Sequence, residues 1–225
     1  AALTDLAALP GLEILETGTS KIPAAAIGPL GACPTLRVLS LPVDTRPTDA
    51  QLAPLLRART LRSLHLWCSK LTDKGISALA QLENLNRLEL GGGEKITDEG
   101  AASLGALGSL KEQRLTSTRC TGAFLGAFGP KLTVLGLGSS RFSDEHVPQL
   151  ARMKKLKRLG LARTKVGDAE IGALAGLNEL EELDLEGTKV TAKGLVSLGR
   201  RLVELVRISD TKKRRALRTI AQTVS

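Results

Sequence analysis

The strongest constraint on the fold of this chain is a short pattern, Leu-x-x-Leu-x-Leu, that recurs almost from one end of the sequence to the other. Its copies begin at Leu12, Leu36, Leu61, Leu85, Leu110, Leu132, Leu156, Leu180 and Leu202. Successive copies start 22 to 25 residues apart. A period this regular indicates a solenoid, because each unit can bury its apolar side only against the units before and after it.

The unit at residues 61–82 shows the local structure that we expect of all of them. Leu64 and Leu66 have strand spacing and share one face, whereas His65 and Trp67 share the opposite face. A Thr-Asp pair then precedes an apolar periodic run, which is a helix-start signal. The predicted fold class is therefore α/β, with a strand, a polar turn and a short helix in each unit. Because helices are wider than strands, we expect a curved horseshoe with parallel strands on its concave face and helices on its convex face.

The regular period favours one domain over residues 1–225. Residues 1–11 resemble the second half of a unit whose strand is missing, so we predict an incomplete N-terminal repeat there. Residues 12–206 hold about eight repeats plus a degenerate ninth strand, and residues 207–225 are predicted to form a C-terminal capping helix. The missing first strand suggests that the chain is part of a larger protein or complex.

Two departures from the pattern are predicted to have local consequences. Gln113 occupies a slot that is leucine in other units, so its amide must find internal partners or the local register must shift. The run Gly91-Gly92-Gly93 coincides with a one-residue insertion, which indicates a widened turn because glycine tolerates unusual dihedral angles. The run is not a phosphate-binding loop, since Ile96 directly follows Lys95 where such a loop has Ser or Thr.

The charge is unevenly distributed along the chain. Residues 1–110 carry a net charge of −1, whereas residues 111–225 carry +10. Much of the excess comes from two clusters, Lys154, Lys155, Lys157 and Arg158, and Lys212, Lys213, Arg214 and Arg215. These clusters are either a solvated convex face with a charged end cap or a surface for an acidic partner or nucleic acid. Nucleic acid is the less favoured partner, because aromatic side chains for base stacking are scarce.

The sequence offers little support for catalysis or for a bound cofactor. His65 and Cys68 are three residues apart, so on a strand they would point to opposite faces and could not form a nucleophile–base pair. The three cysteines match no zinc spacing, and their odd number and scatter favour a reducing, cytoplasmic location over a disulfide scaffold. No apolar run has the length of a membrane span. We therefore predict a non-enzymatic protein with no cofactor, no metal site and no membrane insertion.

The concave face is the predicted binding surface, and another protein is the predicted partner. Trp67 is the only tryptophan, and tryptophan and arginine are enriched at binding hot spots. The predicted partner-binding residues are His65, Trp67, Arg87, Glu89, Glu112, Arg114, Arg158 and Glu182. An alternative for Trp67 is local packing over Gly91 and Gly92 of the next unit. Further along, glycines such as Gly136 and Gly160 predict a smooth strip that admits a bulky partner side chain or has no function.

The units resemble those of bacterial leucine-rich-repeat proteins with repeats of about 24 residues. In that group the leucine pattern is followed by Thr-x-Ile/Val-x-Asp-x-Gly and a Leu-Ala-rich helix, as in residues 85–104, 156–177 and 180–198. Residues 172–175 also resemble the Gly-Ala-Leu-Ala signature of repeats in some secreted bacterial effectors. The resemblance implies protein recognition. An alternative that it implies is the substrate-recognition domain of a ubiquitin-ligase adaptor, secreted into a host cell.

Overall fold

Nine short parallel strands form one open sheet in which strand order follows chain order. The computed structural model describes residue 5, residues 7–18 and residues 22–207. The strands are β1 (Ile14–Glu16), β2 (Val38–Ser40), β3 (Ser63–Trp67), β4 (Arg87–Gly91), β5 (Glu112–Thr116), β6 (Val134–Gly136), β7 (Arg158–Gly160), β8 (Glu182–Asp184) and β9 (Val206–Arg207). Most of the predicted N-terminal half-repeat and nearly all of the predicted C-terminal helix lie outside the described residues.

The leucines of neighbouring units stack directly on one another. Leu39 pairs with Leu64, Leu64 with Leu88, and Leu135 with Leu159. These side chains have at most 1% of their surface exposed, and they belong to a continuous apolar core between the sheet and the helices. The predicted architecture of parallel strands backed by short helices is confirmed. We call the opposite, solvent-facing side of the sheet the strand face.

The helices are short because each unit has only 22 to 25 residues for its strand, turn and return. The α-helices are α1 (Asp49–Leu52), α2 (Asp73–Ala78), α3 (Asp98–Ser103), α4 (Val147–Leu150), α5 (Ala192–Ser197) and α6 (Gly199–Leu205). The 3-10 helices are Ala24–Ala32, Ala53–Arg57, Leu79–Gln81, Leu104–Ala106, Ala123–Ala127, Asp144–His146 and Ile171–Gly176. After β1, β5 and β7 the only helical element of the return segment is a 3-10 helix.

An aspartate at the start of the helical segment links each of several units to the next. The carboxylate of Asp73 accepts hydrogen bonds from the backbone N–H of Thr97 at 2.8 Å and from its hydroxyl at 2.7 Å. The same bonds join three further pairs, Asp49 with Thr72, Asp98 with Thr121, and Asp168 with Thr191. The Thr-Asp pair therefore does more than start a helix, because its aspartate holds the following unit in register.

In three of these pairs, the glycine three residues after the bonding threonine makes room for the aspartate of the preceding unit. A Cβ on Gly100 would lie 2.4 Å from Oδ1 of Asp73, and one on Gly194 would lie 2.2 Å from Oδ1 of Asp168. Real Cβ atoms do not approach oxygen this closely. The Thr-x-x-Gly spacing of these units is thus a packing requirement between neighbouring units.

The fifth unit breaks this chain of aspartates. Gly122 stands where five other units carry Asp49, Asp73, Asp98, Asp144 and Asp168, and its φ of 116° lies in the left-handed region that favours glycine. A Cβ at this position would lie 2.6 Å from the ring of Phe142. Asp98 compensates on the preceding side, since it also accepts the backbone N–H groups of Gly122 and Phe124. The junction between the fifth and sixth units consequently has no aspartate bond of this type.

The ninth strand is shifted by one residue from the predicted register. The sequence pattern aligns Leu205 with the second leucine of the motif and Arg207 with the third. Instead α6 continues to Leu205, and Val206 pairs with Leu183 while Arg207 pairs with Asp184. A one-residue shift exchanges the two faces of a strand, so it turns Arg207 to solvent and avoids burying a guanidinium in a leucine slot.

Gln113 keeps the register and leaves its amide without partners. It pairs with Leu88 on one side and Leu135 on the other, and none of its surface is exposed. Neither Oε1 nor Nε2 has a hydrogen-bond partner among the described residues. Neither predicted outcome occurs, because the register does not shift and the amide finds no internal partner. The Gln113 amide is therefore desolvated in the core, which costs stability.

We expect Gln113→Leu to stabilise the protein by about 1–3 kcal/mol, because it removes an unpaired buried amide and restores the leucine stack. Urea unfolding followed by circular dichroism would measure the change. The matched control is Leu88→Gln, which places an amide in the same slot of the preceding strand and should destabilise. A lower midpoint for Gln113→Leu would show that the amide is satisfied in solution.

The aspartate bonds should make stability sensitive to acid. Burial by itself raises the pKa of Asp98, but hydrogen bonds from Thr121, Gly122 and Phe124 outweigh it and hold that pKa below its ordinary value of 3.8. The stabilisation is therefore present above about pH 4 and is lost as the pH falls through the folded-state pKa. We expect Asp98→Asn to destabilise by about 1–2 kcal/mol near neutral pH and by less near pH 3. Urea unfolding at both pH values would test this, and an equal loss at both would contradict it.

Candidate functional site

The strand face presents one side chain from each layer in regular columns. The central column is Glu16, Ser40, His65, Glu89, Arg114, Gly136, Gly160, Asp184 and Arg207. A second column lies two residues earlier in each strand and includes Arg87, Glu112, Val134, Arg158 and Glu182. All eight predicted partner-binding residues lie on strands β3, β4, β5, β7 and β8. Six of them lie together on β3 to β5, and Arg158 and Glu182 lie two to three strands further along.

Four of these residues form a compact network of opposite charges across β4 and β5. Arg87 donates to Oε1 of Glu89 at 2.7 Å, and Arg114 donates to the same carboxylate oxygen. Glu112 Oε2 lies 3.8 Å from both Arg87 Nε and Arg114 Nη1. Two cations and two anions thus alternate around a square, and together they carry no net charge.

The two arginines of the network favour the ionised form of the Glu89 carboxylate. Burial of Glu89 by itself raises its pKa, but the hydrogen bond from Arg87 and the positive charges of Arg114 and Arg87 outweigh this and lower it. The Glu89 side chain is only 19% exposed and the Arg114 side chain 30% exposed, so water screens this part of the network less than at an open surface. Glu89 and the two arginines therefore order one another before any partner arrives, and Glu112 adds two contacts of 3.8 Å, although its Oε2 has no hydrogen-bond partner among the described residues.

The Trp67 indole lies flat over two glycines of the next unit. A Cβ on Gly91 would lie 2.6 Å from Trp67 Cε3, and one on Gly92 would lie 2.5 Å from Trp67 Nε1. Trp67 is half-buried as a result. The packing alternative for Trp67 is realised in this geometry, and the indole still borders the strand face beside the charge network.

His65 and Cys68 lie on opposite sides of the sheet, as the strand spacing predicts. His65 is exposed on the strand face, and its Nδ1 lies 3.2 Å from the hydroxyl of Ser40. Cys68 is buried, its thiol donates to the carbonyl of Gly91 at 3.1 Å, and burial raises its pKa to about 12. The two side chains do not form a nucleophile–base pair.

A shallow depression of about 180 Å³ lies further along the strand face, over β6 and β7. Gly136 and Gly160 form its floor, where the sequence predicts a smooth strip. Arg114 lies at one side, since its Cγ is 3.0 Å from the position of a Cβ on Gly136. Arg158, Glu182 and Asp184 border the rest of the depression.

Arg207 is a residue of this surface that the sequence pattern misassigned to the core. It joins the central column after Asp184 and donates to Oε1 of Glu182 at 2.6 Å. That bond and the negative charge of Asp184 raise the pKa of Arg207. The one-residue shift of β9 brings it here, and the sequence signal for that shift is the arginine itself, because an unpaired guanidinium is too costly for a leucine slot.

The four side chains of the basic cluster at residues 154–158 lie in four different environments. Lys154 donates to the carbonyl of Gly176 at 3.1 Å, and Lys157 pairs with Glu181 at 3.0 Å. Arg158 belongs to the strand face, and Lys155 is exposed. These side chains therefore do not form one continuous patch, and the second predicted cluster, at residues 212–215, lies outside the described residues.

Within the described residues, no three histidine, cysteine or carboxylate side chains converge on a position that could hold a metal ion. In the same part of the chain, no helix has the length and apolar character that crossing a bilayer requires.

The comparisons with known proteins agree with this architecture. A family profile described as a leucine-rich repeat matches residues 57–80, 81–105 and 177–199. Among solved structures, internalin C2 of Listeria monocytogenes is similar at a TM-score of 0.58 and 24% identity, over 88% of this chain and 77% of that one. No curated protein sequence is significantly similar.

Two further solved structures have the same fold. A second internalin of Listeria monocytogenes has a TM-score of 0.60 and 19% identity over 92% of this chain, which spans 62% of that protein. A leucine-rich-repeat protein of Leptospira interrogans has a TM-score of 0.57 and 18% identity over 88% of this chain, which spans 54% of that protein. The repeats and the nine-stranded sheet define a leucine-rich-repeat solenoid, similar to those of these bacterial proteins.

The position of Trp67 can be tested by its own fluorescence, because the chain has no other tryptophan. Gly91→Ala should displace the indole, since the new Cβ would lie 2.6 Å from its ring. We expect a red-shifted emission maximum and stronger quenching by acrylamide. Gly138→Ala is the matched control, because its Cβ would meet only the Ala162 carbonyl at 3.4 Å. Unchanged emission for Gly91→Ala would show that the indole lies elsewhere.

Proposed function

We propose that this chain is a non-catalytic protein-binding module whose partner covers the strand face. The partner would contact His65 and Trp67 on β3 and the four charges of Arg87, Glu89, Glu112 and Arg114. The observation that carries this proposal is the charge network beside the only tryptophan, on the one sheet face that helices leave open. Metal binding at an open sheet face would need three converging histidine, cysteine or carboxylate side chains, and the described residues bring no such group together.

The charge network is suited to specific recognition. Glu89 and the two arginines already order one another, so a partner loses little conformational entropy by binding them. A partner must also present a complementary alternation of charges, because a like charge opposite Glu89 or Arg114 would be repelled. Trp67 adds apolar area beside the network, which is the composition of a hot spot.

The depression over Gly136 and Gly160 extends this surface. Its 180 Å³ can receive one side chain of the partner, with Arg158 on one side and Asp184 on the other. In this proposal Arg158 and Glu182 belong to the same binding surface as the charge network, and Arg114 is the residue that borders both.

The setting that we propose is a larger bacterial protein or complex in the cytoplasm. Cys33, Cys68 and Cys120 are free and buried, and burial raises the pKa of the Cys68 and Cys120 thiols to about 12. Such thiols behave as small apolar side chains and suit a reducing compartment. The secreted ubiquitin-ligase adaptor stays an alternative prediction. The hypothesis that residues 154–158 bind nucleic acid has less support, because Lys154 and Lys157 bond to protein groups.

Affinity capture from bacterial lysate, followed by mass spectrometry, tests this proposal with two variants. Trp67→Ala removes the aromatic anchor. A fourfold swap (Arg87→Glu, Glu89→Arg, Glu112→Arg, Arg114→Glu) keeps every internal ion pair but inverts the charges that a partner meets. We expect both variants to lose the captured protein at least roughly tenfold, and circular dichroism at the capture temperature should show that both remain folded.

The matched control is Lys155→Glu, an exposed charge change away from the strand face. It should leave capture unchanged. If capture survives both Trp67→Ala and the fourfold swap, the partner does not bind the strand face.

A further inference from the structure

A second charged feature runs along one edge of the solenoid, at the turn that follows each strand. Six consecutive units carry a lysine or arginine at the corresponding position of this turn, and all six side chains are exposed. These residues, which we call the cation ladder, are Lys70, Lys95, Arg119, Arg141, Lys165 and Lys189. The ladder does not belong to either basic cluster that is visible in the sequence.

Backbone hydrogen bonds hold three of the five junctions of the ladder in register. The N–H of Arg119 donates to the carbonyl of Ile96 at 2.9 Å, and the N–H of Lys189 donates to the carbonyl of Val166 at 2.8 Å. The N–H of Lys165 makes the same bond to the preceding unit. Neighbouring cations therefore follow the strand spacing of about 4.8 Å, and the six span about 24 Å.

The ladder is not neutralised by the protein. Across the parts of the chain that the structure describes, none of the six side chains forms an ion pair or a side-chain hydrogen bond. At the opposite ends of the strands the situation differs, since Lys131 and Lys154 donate to carbonyl oxygens and Lys157 pairs with Glu181. A row of like charges repels itself, so a ligand that brings negative charge would relieve that repulsion.

The middle of the ladder is also concave. Arg119 and Arg141 line a shallow, open depression of about 300 Å³ together with the hydroxyl residues Ser117 and Ser139. Ser117 and Ser139 have φ angles of 56° and 57°, so the turn adopts the same left-handed conformation in both units. Glu94 is the acidic residue of this lining. The depression therefore provides two cations and neighbouring hydroxyls to an acceptor group.

We propose that the cation ladder binds an acidic helix of a partner protein. An α-helix advances 5.4 Å per turn, and its side chains at i and i+4 lie about 5–6 Å apart, which is close to the spacing of the ladder. Carboxylates at these positions would each meet one rung, and the long lysine and arginine side chains absorb the small mismatch. Acidic side chains on one face of an extended strand lie about 6.8 Å apart, so their spacing matches the spacing of about 4.8 Å between the cations less well than that of a helix does.

The same edge is poorly suited to single-stranded nucleic acid. Base stacking needs aromatic side chains beside the cations. Trp67 lies over Gly91 and Gly92, and Phe124, Phe128 and Phe142 are buried. Since tyrosine is absent from the chain, the described part of the ladder has no aromatic platform. The partner favoured by this edge is therefore a helix with a stripe of carboxylates.

The test uses the full chain and two labelled alanine-based peptides of about 18 residues, a length of about 27 Å as a helix. One peptide carries glutamates in a single stripe at i, i+4, i+7, i+11 and i+14, and the other has the same composition with the glutamates scattered around the helix. Fluorescence anisotropy should show that the stripe peptide binds at least roughly tenfold more tightly, and that binding weakens from about 50 to about 200 mM salt.

Two triple variants locate the binding. Arg119→Glu, Arg141→Glu and Lys165→Glu together should abolish binding of the stripe peptide. The matched control reverses three exposed cations at the opposite ends of the strands, Arg62→Glu, Lys111→Glu and Lys155→Glu, and should leave binding within about twofold. Circular dichroism checks that each variant is folded. If the ladder variant unfolds, Arg119→Gln, Arg141→Gln and Lys165→Gln singly should each weaken binding.

Three results would overturn the proposal. The first is equal affinity for the striped and scattered peptides, which would indicate a general attraction for polyanions. The second is tighter binding of a single-stranded or duplex DNA of equal charge than of the stripe peptide. The third is unchanged binding by the ladder variants. The fourfold swap on the strand face should not alter peptide binding, so failure of this proposal and failure of the proposed function are separately visible.

Discussion

The described structure depends on similar layers, each of which stacks in register on the units before and after it. The leucine stack supplies the apolar part of each junction, as in Leu64 on Leu88. The aspartate bond supplies the polar part, as in Asp73 to Thr97. The two parts constrain different ends of the unit, since one fixes the strand and the other fixes the start of the helix.

The fifth unit shows what happens when both parts are weakened together. Gln113 interrupts the leucine stack with an unpaired amide, and Gly122 removes the aspartate that would bind the sixth unit. The side chains on either side of Gln113 are Glu112 and Arg114, which belong to the charge network. Their ion pairs join the fifth unit to the fourth from the opposite side of the sheet. The proposed binding surface thus lies on the unit with the weakest core, a relation that is common where function competes with stability.

The sequence predicted the features that repeat and missed those that occur once. The period of the leucines is enough to derive the strands, their parallel order and the residues of the strand face, because every unit repeats the same solution. The shifted register of β9 is decided by a single cost, the burial of Arg207, and the pattern of leucines does not contain it. The packing of Trp67 on Gly91 depends on one side-chain rotamer and on a glycine, which has no Cβ, in the next unit. The prediction of a partner at the eight strand-face residues stays a prediction.

The strand face and the cation ladder use charge in opposite ways, and this difference follows from their pairing. In the charge network each cation lies near two carboxylates, so the field cancels within a few ångströms and only a closely fitted partner experiences it. The ladder has no such cancellation among the described residues, and its field reaches about a Debye length, roughly 8 Å at physiological ionic strength. Long-range attraction raises the rate of encounter, and short-range complementarity determines which encounters persist. A solenoid that carries both on different surfaces can attract a partner along its edge and discriminate among partners on its sheet.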